Sequence, residues 1–440
     1  MKNKLRGKGI AISRTFRRHC LIVALTMVAV ICGTKSQAQG WQLASNLTLK
    51  ADLTLKETFD SNVYLQDEKP SPAVADAAQP FQESLVTSVT PSLALDWRPM
   101  PEFNFGAAYA PEVNTYHSES SESHVAHRAS LGFQGVVRIV TWQMQNSFTW
   151  VDGSREGLTF GAPGGAPAIG GIPLRDRRAA FIYRNSFGAF HKHGDWFFRP
   201  AVSSYIHDFK TERRSPATDP FYQNYVDRND FNVGLDVGYK VFKEGYVFVA
   251  YRFGWQHEPS LPSQSYDYSN DYRRLLLGFE GKVTDWLSLN LFIGPDWRDF
   301  NHDPPDGFDS QHVKLFVDGA AVLTLTKSDT VTLTAKQFEQ PAFGAPSAYE
   351  DITYEISWRH RLSEKFTSVA GFKAYGGVWE SPVKREDWIF TPSAALTYKH
   401  NQHLSAELAY SYDWADSRIP NTEGREFTRH LVALGVKYSF

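Results

Sequence analysis

The chain has 440 residues, a formal net charge of −2 and an aromatic content of 14%, with 12 tryptophans, a weight of ring side chains unusual for two or three soluble domains. Mean hydropathy is nevertheless negative, and no apolar run of about 18 residues follows residue 40, so a helical membrane span is excluded there. Long helical periodicity is absent too, and the abundance of Thr, Tyr, Phe, Trp and Gly favours pleated sheet.

Residues 1–38 differ from the rest. Lys2, Lys4, Arg6, Lys8, Arg14, Arg17 and Arg18 form a basic stretch without an acidic residue, 21–31 is apolar, and Ser36-Gln37-Ala38 places small residues where a signal peptidase reads. The apolar run is short for the ~30 Å of a bilayer core, which argues against a transmembrane anchor. A lipoprotein at Cys32 would need a small residue in the place of Ile31. The expected organisation is a cleaved signal peptide over 1–38 and one outer-membrane domain over 39–440. Cys20 and Cys32 would leave with the signal, which excludes a disulfide scaffold or thiol chemistry. Removing its eight basic residues takes the formal charge from −2 to about −10, which argues against nucleic acid as the partner.

The remaining chain alternates apolar and polar residues in repeated segments. They lie near 46–63, 83–98, 102–117, 125–138, 141–152, 177–191, 195–209, 229–242 and 245–257. Nine more follow near 272–283, 286–300, 312–326, 329–339, 349–362, 365–379, 387–399, 403–415 and 427–440. Asp230 to Val241 is the clearest: Phe231, Val233, Leu235, Val237, Tyr239 and Val241 share one face, and Asp230, Asn232, Gly234, Asp236, Gly238 and Lys240 the other. A soluble sandwich would also alternate. Its loops, however, would not be sorted by length, whereas here tight turns alternate with long polar connections. The tight ones are 99–101, 139–140, 192–194, 243–244, 284–285, 327–328, 363–364 and 400–402. The predicted fold is therefore all-β: a single closed antiparallel transmembrane barrel of about 18 strands, with 16 as the alternative. Its turns would be short and periplasmic, its long loops extracellular, and both termini periplasmic.

Strand parity puts Trp97, Trp142, Trp196, Tyr239, Trp358, Tyr398 and Tyr438 on the lipid face near the short-turn end. Trp150, Trp255, Trp297, Trp388 and Trp414 fall on the same face near the long-loop end, so two aromatic girdles are expected. The last strand ends with Val432, Leu434, Val436, Tyr438 and Phe440 on one face. A terminal Phe after alternating apolar residues looks like the signal by which barrel-assembly machinery recognises the closing strand.

The first strand contains Phe59-Asp60-Ser61-Asn62-Val63-Tyr64. An aromatic followed by Asp, a small residue, Asn and Val resembles the opening strand of the putative β-barrel porin 2 family. The resemblance implies a barrel of this size, an association with surface polysaccharide systems, and no catalytic residues.

Parity also assigns the inward charges. Arg128, Arg184, Arg199, Lys240, Arg252, Arg274, Lys282, Arg298, Arg359, Lys373 and Arg429 are the basic candidates for the lumen. Asp236, Glu280, Asp318, Glu355 and Glu407 are acidic ones. Basic side chains lining a pore favour anions; charges paired across the wall would merely keep the lumen wet. The expected function is a porin-like channel for small hydrophilic or saccharide-type solutes, with a small anionic solute or a polysaccharide as cargo, and outer-membrane lipid and lipopolysaccharide around it. A structural or assembly barrel without an open pore is the alternative. An outer-membrane hydrolase would need Ser-His or Asp-His groups gathered at one rim, and none is recognisable. No cofactor is implied, and the spacing of His117, His124 and His127 fits no metal motif.

Overall fold

The computed structural model describes residues 40–66, 81–154, 178–210, 225–259, 268–300, 307–342, 347–380, 384–419, 422–423 and 426–440. The expected signal peptide, with Cys20 and Cys32, lies outside these residues, as do large parts of the long connections. The strands are β1 (Trp41–Ala44), β2 (Leu47–Asp60), β3 (Ser84–Met100), β4 (Phe103–Tyr116), β5 (His124–Val137), β6 (Val140–Ser154) and β7 (Arg178–His193). They continue with β8 (Trp196–Phe209), β9 (Arg228–Phe242), β10 (Gly245–His257), β11 (Asn270–Lys282), β12 (Leu287–Phe300), β13 (Gln311–Thr324) and β14 (Asp329–Pro341). The last are β15 (Ala348–Arg361), β16 (Phe366–Trp379), β17 (Glu386–Lys399), β18 (Leu404–Ile419), β19 (Thr422–Glu423) and β20 (Phe427–Ser439).

From β2 to β18 each strand pairs antiparallel with the next, and β20 pairs with both β18 and β2. The ring therefore closes as an 18-stranded barrel, with Asp52 opposite Ser439 and Asp60 opposite Leu431 along the seam. Closure matters because an unpaired backbone group in hydrocarbon costs several kcal/mol. Two short strands stand outside the ring count: β1 folds back on β2, and β19 lies against the end of β18. The tight connections all fall at one end. Arg138, with φ of 56°, takes the left-handed conformation that a two-residue hairpin turn between β5 and β6 requires.

Apolar and polar side chains separate onto the two faces of the sheet. On β9 the outward Val233, Leu235, Tyr239 and Val241 are exposed, whereas Asp236 is fully buried on the inner face. Trp97, Trp150, Trp196, Trp255, Trp297, Trp358, Trp414, Tyr239 and Tyr438 are likewise exposed on the outside. Tyr398 is half-buried against Phe366, their ring centroids 4.9 Å apart. Trp142 and Trp388 are half-buried for a different reason: each ring lies on a glycine of the neighbouring strand. A Cβ on Gly135 would stand 2.6 Å from the Trp142 ring, and one on Gly376 2.8 Å from that of Trp388.

Phe440 differs from the simple expectation of a lipid-facing end. Tyr438 is exposed, but Phe440 is buried, its ring stacked on Trp41 at 6.2 Å and edge-on to Tyr438 at 4.8 Å. Its amide donates to Ala51 O at 3.0 Å. The physical reason is β1, whose hairpin lays Trp41 over the end of the closing strand.

Candidate functional site: the barrel lumen

The inner wall is not uniform. Along β8 to β13 it carries bulky side chains: Phe197, Phe248, Ala250 and Leu276 are buried together, with Phe190, Tyr246, Phe292 and Phe316 packed around them. Glycines on adjacent strands make the room. A Cβ on Gly238 would lie 2.2 Å from the Phe197 ring, and one on Gly278 2.0 Å from the Phe248 ring, so each aromatic lies flat on bare backbone.

Ion pairs run up the same wall. Arg199 Nε donates to Asp236 at 2.7 Å and its Nη1 to Glu280 at 2.6 Å, while Arg252 Nη1 reaches the other Asp236 oxygen at 2.5 Å. Asp236 is thus held between two guanidinium groups. Higher up, Arg274 and Arg298 both pair with Asp296 at 3.0 Å. Arg298 also donates to Gln256 Oε1 at 2.7 Å and Asn270 Oδ1 at 3.1 Å, and lies 3.7 Å from Glu339. The Arg274 guanidinium sits 4.3 Å from the centroids of both the Tyr272 and Phe316 rings. Arg228 Nη1 crosses from β9 to Pro341 O at the end of β14, 2.8 Å away. Removing one partner from such buried pairs costs about 3–5 kcal/mol, so this wall is rigid.

The segment after β2 also turns inward. Arg429 holds Asp60 with two hydrogen bonds, of 2.9 and 2.5 Å. The Asn62 amide nitrogen donates to Gln66 O at 2.8 Å and to Thr428 O at 3.0 Å. Together they bend the chain so that Leu65 packs on Tyr375, Ile389, Ala415 and Phe427, on the inner faces of β16, β17, β18 and β20. Tyr64 OH then donates to Glu119 at 2.7 Å. The Phe-Asp-Ser-Asn-Val-Tyr stretch therefore locks the long-loop end of the seam, a role its pattern alone did not reveal.

Among the predicted lumen residues, Arg128 pairs with Glu112 on the neighbouring strand, and Lys282 with Glu244 at 2.7 Å at the short-turn rim, where both are exposed. Arg184, Lys240, Arg359 and Lys373 have no ion pair among the described residues. Arg359, Glu355, Glu407 and Asp318 are solvent-exposed on the inner face. Glu355 and Lys373 occupy opposite positions of β15 and β16 without an ion pair, and Glu407 accepts from Thr397 at 3.0 Å. The three histidines engage separate partners: His117 with Thr87, His124 with Asn114, His127 with Tyr109.

Part of the wall of β3 to β7 is different again, built mostly from small, uncharged residues. Asn104, Gly106, Ser130, Gly132, Gln145, Ser147 and Ser186 line a recess of about 390 Å³, with Lys50, Asp96 and Arg184 at its border.

A closed 18-stranded antiparallel ring with an apolar outer face and a polar interior defines an outer-membrane β-barrel. A profile of the putative β-barrel porin 2 family matches residues 208–440. The chain belongs to that family. Among curated proteins none matches the sequence. Solved structures with a similar fold include the siderophore receptor PiuA from Acinetobacter baumannii, at 7% identity and a TM-score of 0.45, over 90% of this chain and 82% of that one. The siderophore receptor PirA from Pseudomonas aeruginosa is similar at 10% identity and a TM-score of 0.39, over 89% and 80% of the two chains. The outer-membrane protein opdK from Pseudomonas aeruginosa is similar at 8% identity and a TM-score of 0.42, over 89% and 99%.

Proposed function

We propose that the barrel is a channel for small hydrophilic solutes, saccharides among them, with both termini in the periplasm. The observation that carries this reading is the second wall. Around β15 to β18 the inner face holds Arg359, Glu355 and Glu407 exposed to solvent, and beyond β20 and β2 the wall of β3 to β7 carries a recess lined by amides and hydroxyls. Glu355 stands at mid-height of β15, where a charged side chain stays solvated only if water reaches it, while Arg359 and Glu407 lie nearer the short-turn rim; 16–18 strands leave room for an aqueous path. Most inward arginines are neutralised by carboxylates, so the remaining field includes Lys50, Arg184, Lys240, Lys336, Arg359 and Lys373 against Asp318, Glu355 and Glu407. Ion selectivity is accordingly a weak preference for anions.

Refolded protein in planar bilayers tests this. Stable unit conductance is expected, with a reversal potential in a salt gradient slightly on the anion side and current reduced by charged oligosaccharides. Clear cation preference would overturn the field assignment. A folded barrel that carries no current would favour a structural or assembly role instead, the reading to which the packed β8 to β13 wall lends weight.

A further inference from the structure

We infer that the recess on the β3 to β7 wall is a binding site for a small solute carrying one carboxylate on a polyhydroxylated body, the chemistry of a sugar acid. The inference deepens the channel reading and rests on the lumen being open to solute. Three observations carry it. First, the recess exists because its floor is small: Gly106, Gly132, Ala94 and Ala108 stand where the β8 to β13 wall carries phenylalanines. Its volume of about 390 Å³ is at the lower end for ligand pockets, which suits a small solute rather than a polymer.

Second, the lining is chosen for neutral hydroxyl groups. Asn104, Ser130, Gln145, Ser147 and Ser186 present amides and hydroxyls, which both donate and accept. Third, two cations of the lining, Lys50 and Arg184, hold no carboxylate among the described residues. Arg128, Arg199, Arg252, Arg274, Arg298 and Arg429 all hold carboxylates. Arg184 does not: its Nε and Nη2 are buried without a hydrogen-bond partner among the described residues, and its guanidinium lies 5.5 Å from the Tyr205 ring centroid. Lys336, on β14, is also within electrostatic range of Arg184, but it stands opposite Asp318 on β13 and is offset by it. Asp96, the acidic group at the border, faces Arg98 at 3.8 Å. Turned from the Tyr205 ring into the recess, the Arg184 guanidinium binds a carboxylate in a fork, and the neutral wall beside it binds the hydroxyl groups.

Calorimetric titration of the refolded full barrel in detergent with D-glucuronate, D-glucose and acetate tests the site. Glucuronate is expected to bind about tenfold or more tightly than either of the others, because it alone uses both the fork and the neutral wall. Arg184→Gln should bring glucuronate down to the level of glucose, and Ser130→Leu, which fills the recess, should remove binding of both sugars. Should Arg184→Gln not refold, Arg184→Lys serves: the charge stays, the fork is lost, and glucuronate is expected to weaken about tenfold. Acetate equal to glucuronate, glucose equal to glucuronate, or a preference that survives loss of Arg184 would each overturn the proposal. Conductance separates it from the channel reading: a barrel that conducts but shows no glucuronate preference loses this site alone, and one that binds but does not conduct loses the channel alone.

Discussion

At the scale of single residues, the lumen is governed by what each charge faces. Asp236 neutralises both Arg199 and Arg252 from a fully buried position. Asp236→Ala leaves two half-buried guanidinium groups without it, Arg199 keeping Glu280, and is expected to lower stability by about 3 kcal/mol, read from the urea midpoint of the refolded barrel. Glu244→Gln at the exposed turn rim should leave that midpoint unchanged, since its partner Lys282 is equally exposed. Packing is as exacting as charge. Gly278→Ala puts a methyl group into the Phe248 ring and is expected to cost about 1–3 kcal/mol. Combining it with Phe248→Leu should recover part of the loss, and a loss that persists in full would count against ring-on-glycine packing as its cause.

At the scale of strands, the account depends on which face meets lipid. Leu277 is exposed on the outer face of β11, and Asn290 is exposed on the inner face of β12. Leu277→Arg should destabilise the barrel by about 2–4 kcal/mol in bilayers, whereas Asn290→Arg should change stability little. Equal costs would mean that the faces are misassigned. Strand positions were readable because lipid and lumen impose opposite chemistry on neighbouring residues, a local signal of period two. The segment near 245–257 coincides with β10, and β18 runs only a few residues past the segment near 403–415. Side-chain partners were not readable, because the barrel brings together residues far apart in sequence, such as Arg199 and Glu280 or Asp60 and Arg429. The burial of Phe440 escaped for a related reason: β1 is too short to announce itself by alternation, and Trp41 covers the terminal ring.

At the scale of the whole molecule, the two sides of the lumen do different work. The β8 to β13 wall is packed with rings and ion pairs, while the inner faces from β15 round to β7 carry exposed charges and the recess. Net charge of the chain predicts little about this interior, since opposite charges cancel there within a few ångströms. The most direct test of a water path along the open side is thiol modification during single-channel recording. Glu355→Cys, treated with a bulky charged methanethiosulfonate reagent, is expected to lose a step of current, while Arg252→Cys on the packed wall should not react. Current unchanged by modification at 355, or a reactive thiol at 252, would contradict the account.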